Sequence, residues 1–505
     1  MKCRILNIAI LVSIVCLASC SALFGPQPNQ TKPEGNPTDT ITTPQEPDDP
    51  DLPSDSTDNR TPDQIRNFAY LYDLQAVPQI TIEVEESEWN KLLYAFDENP
   101  NTRDYVLARF VFNKNGEVFA RDSVGLRLRG NTSRRRPEGE VGQPHSRNSA
   151  AWHQSHFGIK FTKYETGERF FGTDRLILKF FNNDPDYCRE IFCYDLFHRF
   201  GVWSAPYASY CRLSIHVIGD DKPAYYGVYA MIQGVRKGWL ANNRKEGYIP
   251  DSDGNLWKAT WGSGTCADLS DFYQTGTSKM GVPDNWNNYS YALKSNTKTG
   301  LSAAQQELYD FMENMRPLPS GSEQLKTYLQ QNMDVDLFLR FLAVNVMVGM
   351  WDDYWVNGNN YFFYFDSNHK FYFIPFDYDN TLGTLWGQIY DITNPATHDM
   401  LYWGSRGGDR LLVRKVLSIA EYEETYKQYI KQIASSSELM QPDAAIQRVR
   451  TFQSLVRNYV NNDTGDNTQL YDESAGTFGY KLLSGDDSGQ NGSNYFRTKV
   501  NSINF

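Results

Sequence analysis

Two short runs, Trp351-Asp352-Asp353-Tyr354-Trp355-Val356-Asn357-Gly358-Asn359-Asn360 and Pro375-Phe376-Asp377-Tyr378-Asp379-Asn380-Thr381-Leu382-Gly383, gather carboxylate and amide oxygens. Between them lie two aromatic stretches, Tyr361–Phe365 and Phe371–Pro375, joined by Asp366-Ser367-Asn368-His369. That pattern reads as a β-hairpin, and a hairpin brings its two ends together. Asp352 or Asp353, Asn360, Asp377 and Asp379 can therefore converge on one cavity. Such oxygens are hard ligands suited to Mg²⁺ or Mn²⁺. Asp and Asn are also ordinary turn and capping residues, so exposed turns are the alternative. The Trp, Phe and Tyr that flank each run argue against loops that only face water.

The order is that of a kinase C-lobe: a catalytic Asp, a metal-binding Asn a few residues later, a hairpin, then an Asp that clamps metal on nucleotide phosphates. The His-Arg-Asp and Asp-Phe-Gly triplets of ordinary protein kinases are missing. The run resembles instead the spore coat protein H (CotH) kinase family, with its Asp-x-Tyr segment, Asn-Tyr-hydrophobic strand and Pro-aromatic-Asp-x-Asp-x-Thr-hydrophobic-Gly turn. Earlier segments resemble the same family in the same order. They are Leu126-Arg127-Leu128-Arg129-Gly130-Asn131-Thr132-Ser133, Phe157-Gly158-Ile159-Lys160-Phe161, Cys188-Arg189-Glu190, Gly227-Val228-Tyr229 and Gly254-Asn255-Leu256-Trp257-Lys258. The resemblance runs from about Val77 to the C-terminus.

That resemblance implies an α+β, two-lobed, atypical protein-kinase-like fold. It implies phosphoryl transfer from ATP to a protein Ser/Thr hydroxyl, with Mg²⁺ or Mn²⁺. It implies that Lys160 holds the phosphates and pairs with Glu190, and that Arg129, Gly130 and Asn131 belong to a phosphate-facing loop. Glycine there allows close backbone approach. Asp352 is the implied catalytic carboxylate, with Asp353 the near alternative. Asn360 and Asp377 are the implied metal ligands, with Asp379 a second ligand or a turn residue. A strand lysine with its head in water is the plain alternative for Lys160. The chain departs from the family at Gln233, where Glu is frequent. It also carries a long insertion with Arg134, Arg135, Arg136 and Arg147, expected as a solvated loop rather than a phosphate flap. His145, His153 and His156 read as scattered loop histidines.

The elements that must position these groups follow from periodicity. Alternation predicts strands over 78–84, 105–113, 123–129, 157–161 and 176–181, and a hairpin of 211–218 with 225–233. Helices are expected over 86–94, 186–200, 302–315, 322–331, 334–348, 410–434, 442–460 and 495–501. The stretch 238–286 reads as irregular. Strands gather early and helices late, an α+β pattern.

The first residues carry Lys2 and Arg4, an apolar run Ile5–Leu17, and Leu17-Ala18-Ser19-Cys20. This reads as a lipoprotein signal peptide (1–20) with Cys20 the acylated residue. Residues 21–64, rich in Pro, Thr, Asp and Asn, read as a disordered tether, and 65–505 as the folded domain. The expected location is the bacterial cell envelope, on the periplasmic or outer-surface side. Cys188, Cys193 and Cys211 are expected as buried thiols.

With a net charge of −12 over 505 residues, general attraction to nucleic acid is set aside. Aromatic residues make up 14%, which suits a strand-rich fold or a carbohydrate-facing surface. The rival function is a non-catalytic envelope module that binds a protein or polysaccharide, with Trp257, Trp261, Trp286 and Trp403 as stacking candidates. Most of these are expected in the core. A metal-dependent hydrolase would use the same carboxylates but leaves Lys160, Glu190 and the Gly130 loop unexplained together.

Overall fold

The computed structural model of the chain describes residues 69–167, 169–182, 184–262, 264–274, 277–296, 299–385, 388–404, 410–466, 470 and 494–505. The signal peptide, Cys20 and the 21–64 tether lie outside the described residues.

Seven strands close into a barrel: β1 (Gln79–Glu85), β2 (Val106–Lys114), β3 (Glu117–Arg129), β4 (His156–Lys160), β5 (Arg175–Phe180), β6 (Ala208–Ile218) and β7 (Ala224–Gln233). Their order is β1-β2-β3-β4-β5-β7-β6, and the ring is completed by parallel pairing of β1 with β6. Alternation assigns one face of each strand to the interior. Ile80, Ile82, Leu126, Leu128, Phe157, Ile159, Leu176 and Leu178 fill it. The opposite residues, Arg127 and Arg129 on β3, Gly158 and Lys160 on β4, and Arg175 and Lys179 on β5, share the outer face, as the register requires. Gly158 is needed there. A Cβ at this position would stand 2.7 Å from Arg129 Cδ, because the arginine stem lies across it.

A second sheet has the order β11-β12-β8-β13-β14. Its strands are β8 (Asn255–Ala259), β11 (Met280–Gly281), β12 (Tyr291–Ser295), β13 (Tyr361–Phe365) and β14 (Phe371–Pro375), with a short hairpin, β9 (Tyr273–Gln274) and β10 (Thr277–Ser278), alongside. All ten residues of β13 and β14 are buried. Phe341 on the Val335–Met347 helix stacks on Phe373 at 4.1 Å. This helix-rich part has its own core. The fold is α+β.

Two expectations change. The described residues of 238–286 hold the Lys237–Lys245 helix and the short strands β8 through β11 among turns and coil. These strands are too short for alternation to show. The single helix expected over 410–434 is two, Leu411–Leu417 and Ala420–Ser435. Ser418 closes the first by donating to Lys415 O, and Ile419 is extended (φ −84°, ψ 113°) at the start of the second. Trp257 and Trp403 are fully buried, Trp261 is half-buried, and Trp286 is 75% exposed. Cys188, Cys193 and Cys211 are buried free thiols. Among the described residues no helix is long and apolar enough to cross a membrane.

Candidate phosphoryl-transfer site

The centre forms where the end of β5 meets the start of the Arg189–Arg199 helix and the turn after β14. Lys179 Nζ lies 2.8 Å from Glu190 Oε2, 3.1 Å from Asp379 Oδ2, and in contact with Asp377 Oδ1. The helix and the turn are joined at several further points. The Asp377 N–H donates to Tyr194 Oη (3.0 Å) and the Tyr378 N–H to Glu190 Oε1 (3.3 Å). Arg189 Nε donates to Thr381 O (3.2 Å), and the Cys193 thiol to Thr381 Oγ1 (3.4 Å). Arg189 is itself fully buried, with ion pairs to Asp184 and, at 2.8 Å, Asp186. Asp184 also accepts from the backbone N–H groups of Cys188 and Arg189, the geometry that favours a carboxylate at a helix start.

Glu190 was expected to pair with Lys160, and this is corrected: its ion-pair partner is Lys179. Continuing the β4–β5 register sets His156 beside Lys179, whereas Lys160 sits opposite Arg175. Four residues of strand, about 13 Å, separate the two rows. Lys179 occupies an outward position in Leu176-Ile177-Leu178-Lys179-Phe180, directly before the loop that leads to Glu190.

The first oxygen-rich run supplies the facing wall. Asp352 accepts from Asn357 Nδ2 (2.6 Å), Asn359 Nδ2 (3.2 Å) and Asn360 Nδ2 (2.9 Å). Asp353 turns the other way. It accepts from the Val356 N–H (2.9 Å) and from Asn345 Nδ2 (2.5 Å), and is 2% exposed. Asn345 in turn accepts from Tyr378 Oη at 2.8 Å, linking the two runs through the core. The geometry thus separates two carboxylates that are adjacent in sequence: Asp352 faces the centre, and Asp353 fastens the loop.

Charge in the centre is unbalanced. Burial pushes Asp352 up to about 7, against its amide donors and with help from Asp377 and Asp379. Burial likewise raises Glu190 to about 7 despite Lys179. Asp379 also moves up, by burial only partly offset by Lys179. For Asp377, Lys179 overcomes burial and holds the carboxyl below its usual range. One ammonium thus serves three carboxylates with a fourth close by, a surplus that a divalent cation would relieve. Asp377 and Asp379 are 34% and 31% exposed, so their oxygens are reachable. Among the described residues no three His, Cys, Asp or Glu side chains form a cation cage by themselves. An ion here would draw on Asp377, Asp379 and the Asn360 amide oxygen, with the ligand completing its shell.

Cations line the barrel side. Arg129 projects from β3 beside Gly130. Lys258 on β8 lies 5.0 Å from the Phe376 ring centroid and 5.7 Å from that of Phe362. Burial lowers Lys258 to about 7, with Arg129 adding to the effect and Asp377 opposing it. Gly130 has φ +105°, and a Cβ there would stand 3.2 Å from Arg134 N and His156 Cδ2. Asn131 and Thr132 are exposed beyond it. The arginine-rich insertion is a loop, as expected, with Arg135 and Arg147 45% and 71% exposed, and it is strapped to the barrel at a few points. Arg134 donates to Thr102 O, Arg136 pairs with Asp97 at 2.8 Å, and His145 sits between Glu138 and Asp220. Sequence reasoning missed Lys179, Asn357, Asn359 and His156 as parts of the site, and used Lys258 only as a motif residue.

An α+β chain that couples a strand lysine to a helix glutamate and to an Asp-x-Asp turn belongs to a kinase-like class of site. A model of the family described as CotH kinase protein matches residues 126–493, and the chain belongs to that family. It is similar to inner spore coat protein H of Bacillus subtilis, 25% identical over 287 residues, which covers 55% of this chain and 68% of that protein. It is also similar to two Rhizopus delemar proteins. Invasin CotH3 is 24% identical over 258 residues, 50% of this chain and 39% of that one. Invasin CotH7 is 30% identical over 114 residues, 22% and 18%. The matched region thus spans well under half the length of the two invasins.

Proposed function

We propose that the chain is a kinase-like phosphotransferase that moves the γ-phosphoryl group of ATP to a protein Ser or Thr hydroxyl. The observation that carries this reading is the Lys179 bridge, which ties the helix through Glu190 and the turn through Asp377 and Asp379, two carboxylates whose charge reaches Asp352. In this reading the barrel acts as the nucleotide-side lobe and the helix-rich part as the acceptor-side lobe. Arg129, Lys258 and the Gly130–Ser133 loop receive the phosphates, while Asp377, Asp379 and Asn360 hold Mg²⁺ or Mn²⁺. The ion, when bound, neutralises phosphate charge and orients the leaving group.

Asp352, held by three amides, takes the proton from the acceptor hydroxyl as its oxygen bonds to the γ-phosphorus. The bond from that phosphorus to the β–γ bridging oxygen breaks, and ADP leaves with the electron pair. Asp353 keeps the loop in register without touching the reacting atoms. We further propose that Cys20 is the site of lipid attachment, holding the domain in the cell envelope. ATP is scarce there, so the phosphate donor is part of what must be tested.

The test is label transfer. Purified protein lacking residues 1–20, incubated with γ-labelled ATP and Mg²⁺ or Mn²⁺, is expected to label a protein acceptor or itself on serine or threonine. Asp377→Ala should abolish the labelling. Labelling that persists in Asp377→Ala, or none with any nucleoside triphosphate and either metal, would overturn phosphoryl transfer.

A further inference from the structure

His156 is the first residue of β4 and is 3% exposed. It stands between Arg129, its register partner on β3, and Lys179 on β5. Its ring is stacked on Phe180, with centroids 4.3 Å apart. Nδ1 lies 3.2 Å from the Phe180 N–H, and a backbone N–H can only donate. Nδ1 is therefore the unprotonated acceptor, and the neutral ring carries its hydrogen on Nε2. That hydrogen points to Ser133 Oγ at 2.9 Å. One imidazole thus joins β5, at the residue after Lys179, to the loop that begins at Gly130.

Resting on the phosphoryl-transfer reading, we propose that His156 is a positioning residue: its neutral ring fastens Ser133, and with it the Gly130–Ser133 loop, over the Lys179 centre, and so sets nucleotide affinity. The next residue, Arg134, anchors the same end of the loop by donating to Pro100 O and Thr102 O, and its Nε reaches back to Gly130 O at 3.3 Å. The His156–Ser133 bond adds the tie from that end of the loop to the barrel strands, beside Asn131 and Thr132, which face solvent. Burial, reinforced by Lys179 and then by Arg129 and Arg135 against the pull of Asp377, keeps the ring's basicity well below that of an ordinary histidine. A protonated ring would lose its acceptor for the Phe180 N–H and place a third cation in the row.

His156→Asn keeps an acceptor where Nδ1 stands but cannot reach Ser133. His156→Gln places an amide nitrogen near Nε2 and keeps that donor. Calorimetric titration with ATP and Mg²⁺ should show about fivefold weaker binding for His156→Asn and for Ser133→Ala, the worth of one neutral hydrogen bond. The double variant should be no weaker than either single one, and His156→Gln should recover most of the loss. Hydrogen exchange of the 130–134 segment should quicken in His156→Asn even without nucleotide. Unchanged affinity and exchange in a folded His156→Asn, or effects that multiply in the double variant, would overturn the positioning role alone. A wild-type protein that binds no nucleotide would overturn it together with the phosphoryl-transfer reading.

Discussion

Asp352→Asn is expected to slow phosphoryl transfer by about 10²–10⁴-fold, the range for loss of a general base, while nucleotide still binds. The variant keeps the size of the side chain, loses the capacity to take a proton, and turns one of the two oxygens that accept from Asn357, Asn359 and Asn360 into a donor. The wild-type pH profile carries a second signature of the same group. Burial and the nearby Asp377 and Asp379 raise Asp352 to about 7, so the basic form is lost as pH falls through neutrality rather than near 4. Below that point the rate should drop tenfold per pH unit. Stability should run the other way. A carboxyl raised in the folded state binds a proton there that the unfolded chain lacks, so its contribution favours folding at acid pH and is lost as pH rises through about 7. Asp352→Asn should therefore raise Tm most at pH 8 and change it least at about pH 4 and below, where the unfolded carboxyl also takes up its proton. A variant equally active, or a rate flat from pH 5 to pH 8, would contradict the assignment.

Lys179→Met should produce the largest loss of stability. It leaves Glu190, Asp377 and Asp379 facing one another without their shared ammonium. Breaking a buried pair by removing one partner costs about 3–5 kcal/mol, and here three carboxylates share the loss. Urea denaturation reads the effect directly. Glu190→Gln in the same background should recover part of it, because one of the repelling charges is removed. Lys160→Met, one strand over and about 13 Å along, should leave nucleotide affinity unchanged. Lys160→Met abolishing nucleotide binding while Lys179→Met spares it would make Lys160, not Lys179, the phosphate-side lysine.

The confusion between these two lysines shows what was legible in the sequence. Both occupy outward positions of alternating strands, and alternation places them on the same barrel face. Only the register of β4 against β5 reveals that one lies at the Glu190 end and the other does not. Closure of the barrel was hidden for a similar reason: it depends on parallel pairing of β1 with β6, more than a hundred residues apart. The β13–β14 hairpin, by contrast, could be read to the residue. Its aromatic stretches and the Asp366-Ser367-Asn368-His369 turn are local, and its ends pair Tyr361 with Pro375, the neighbours of Asn360 and Phe376. Asp352 and Asp353 could not be told apart by spacing, because the difference lies in which amides each one meets. His156 looked like one of several loop histidines. Its place in β4 rests on long-range pairing with β3 and β5, and its bond to Ser133 spans the whole strap between them.

The most direct measurement is calorimetric titration of ATP into the protein with and without Mg²⁺, repeated on Asp377→Ala. Binding should require Mg²⁺ and should vanish in the variant, since Asp377 joins Lys179 to the proposed cation position. Lys258, lowered to about 7, should take up a proton as phosphates arrive, visible as a heat that changes with the buffer's ionisation enthalpy. Binding indifferent to both Mg²⁺ and Asp377, or no binding at all, would show that the Lys179 centre does not hold a nucleotide.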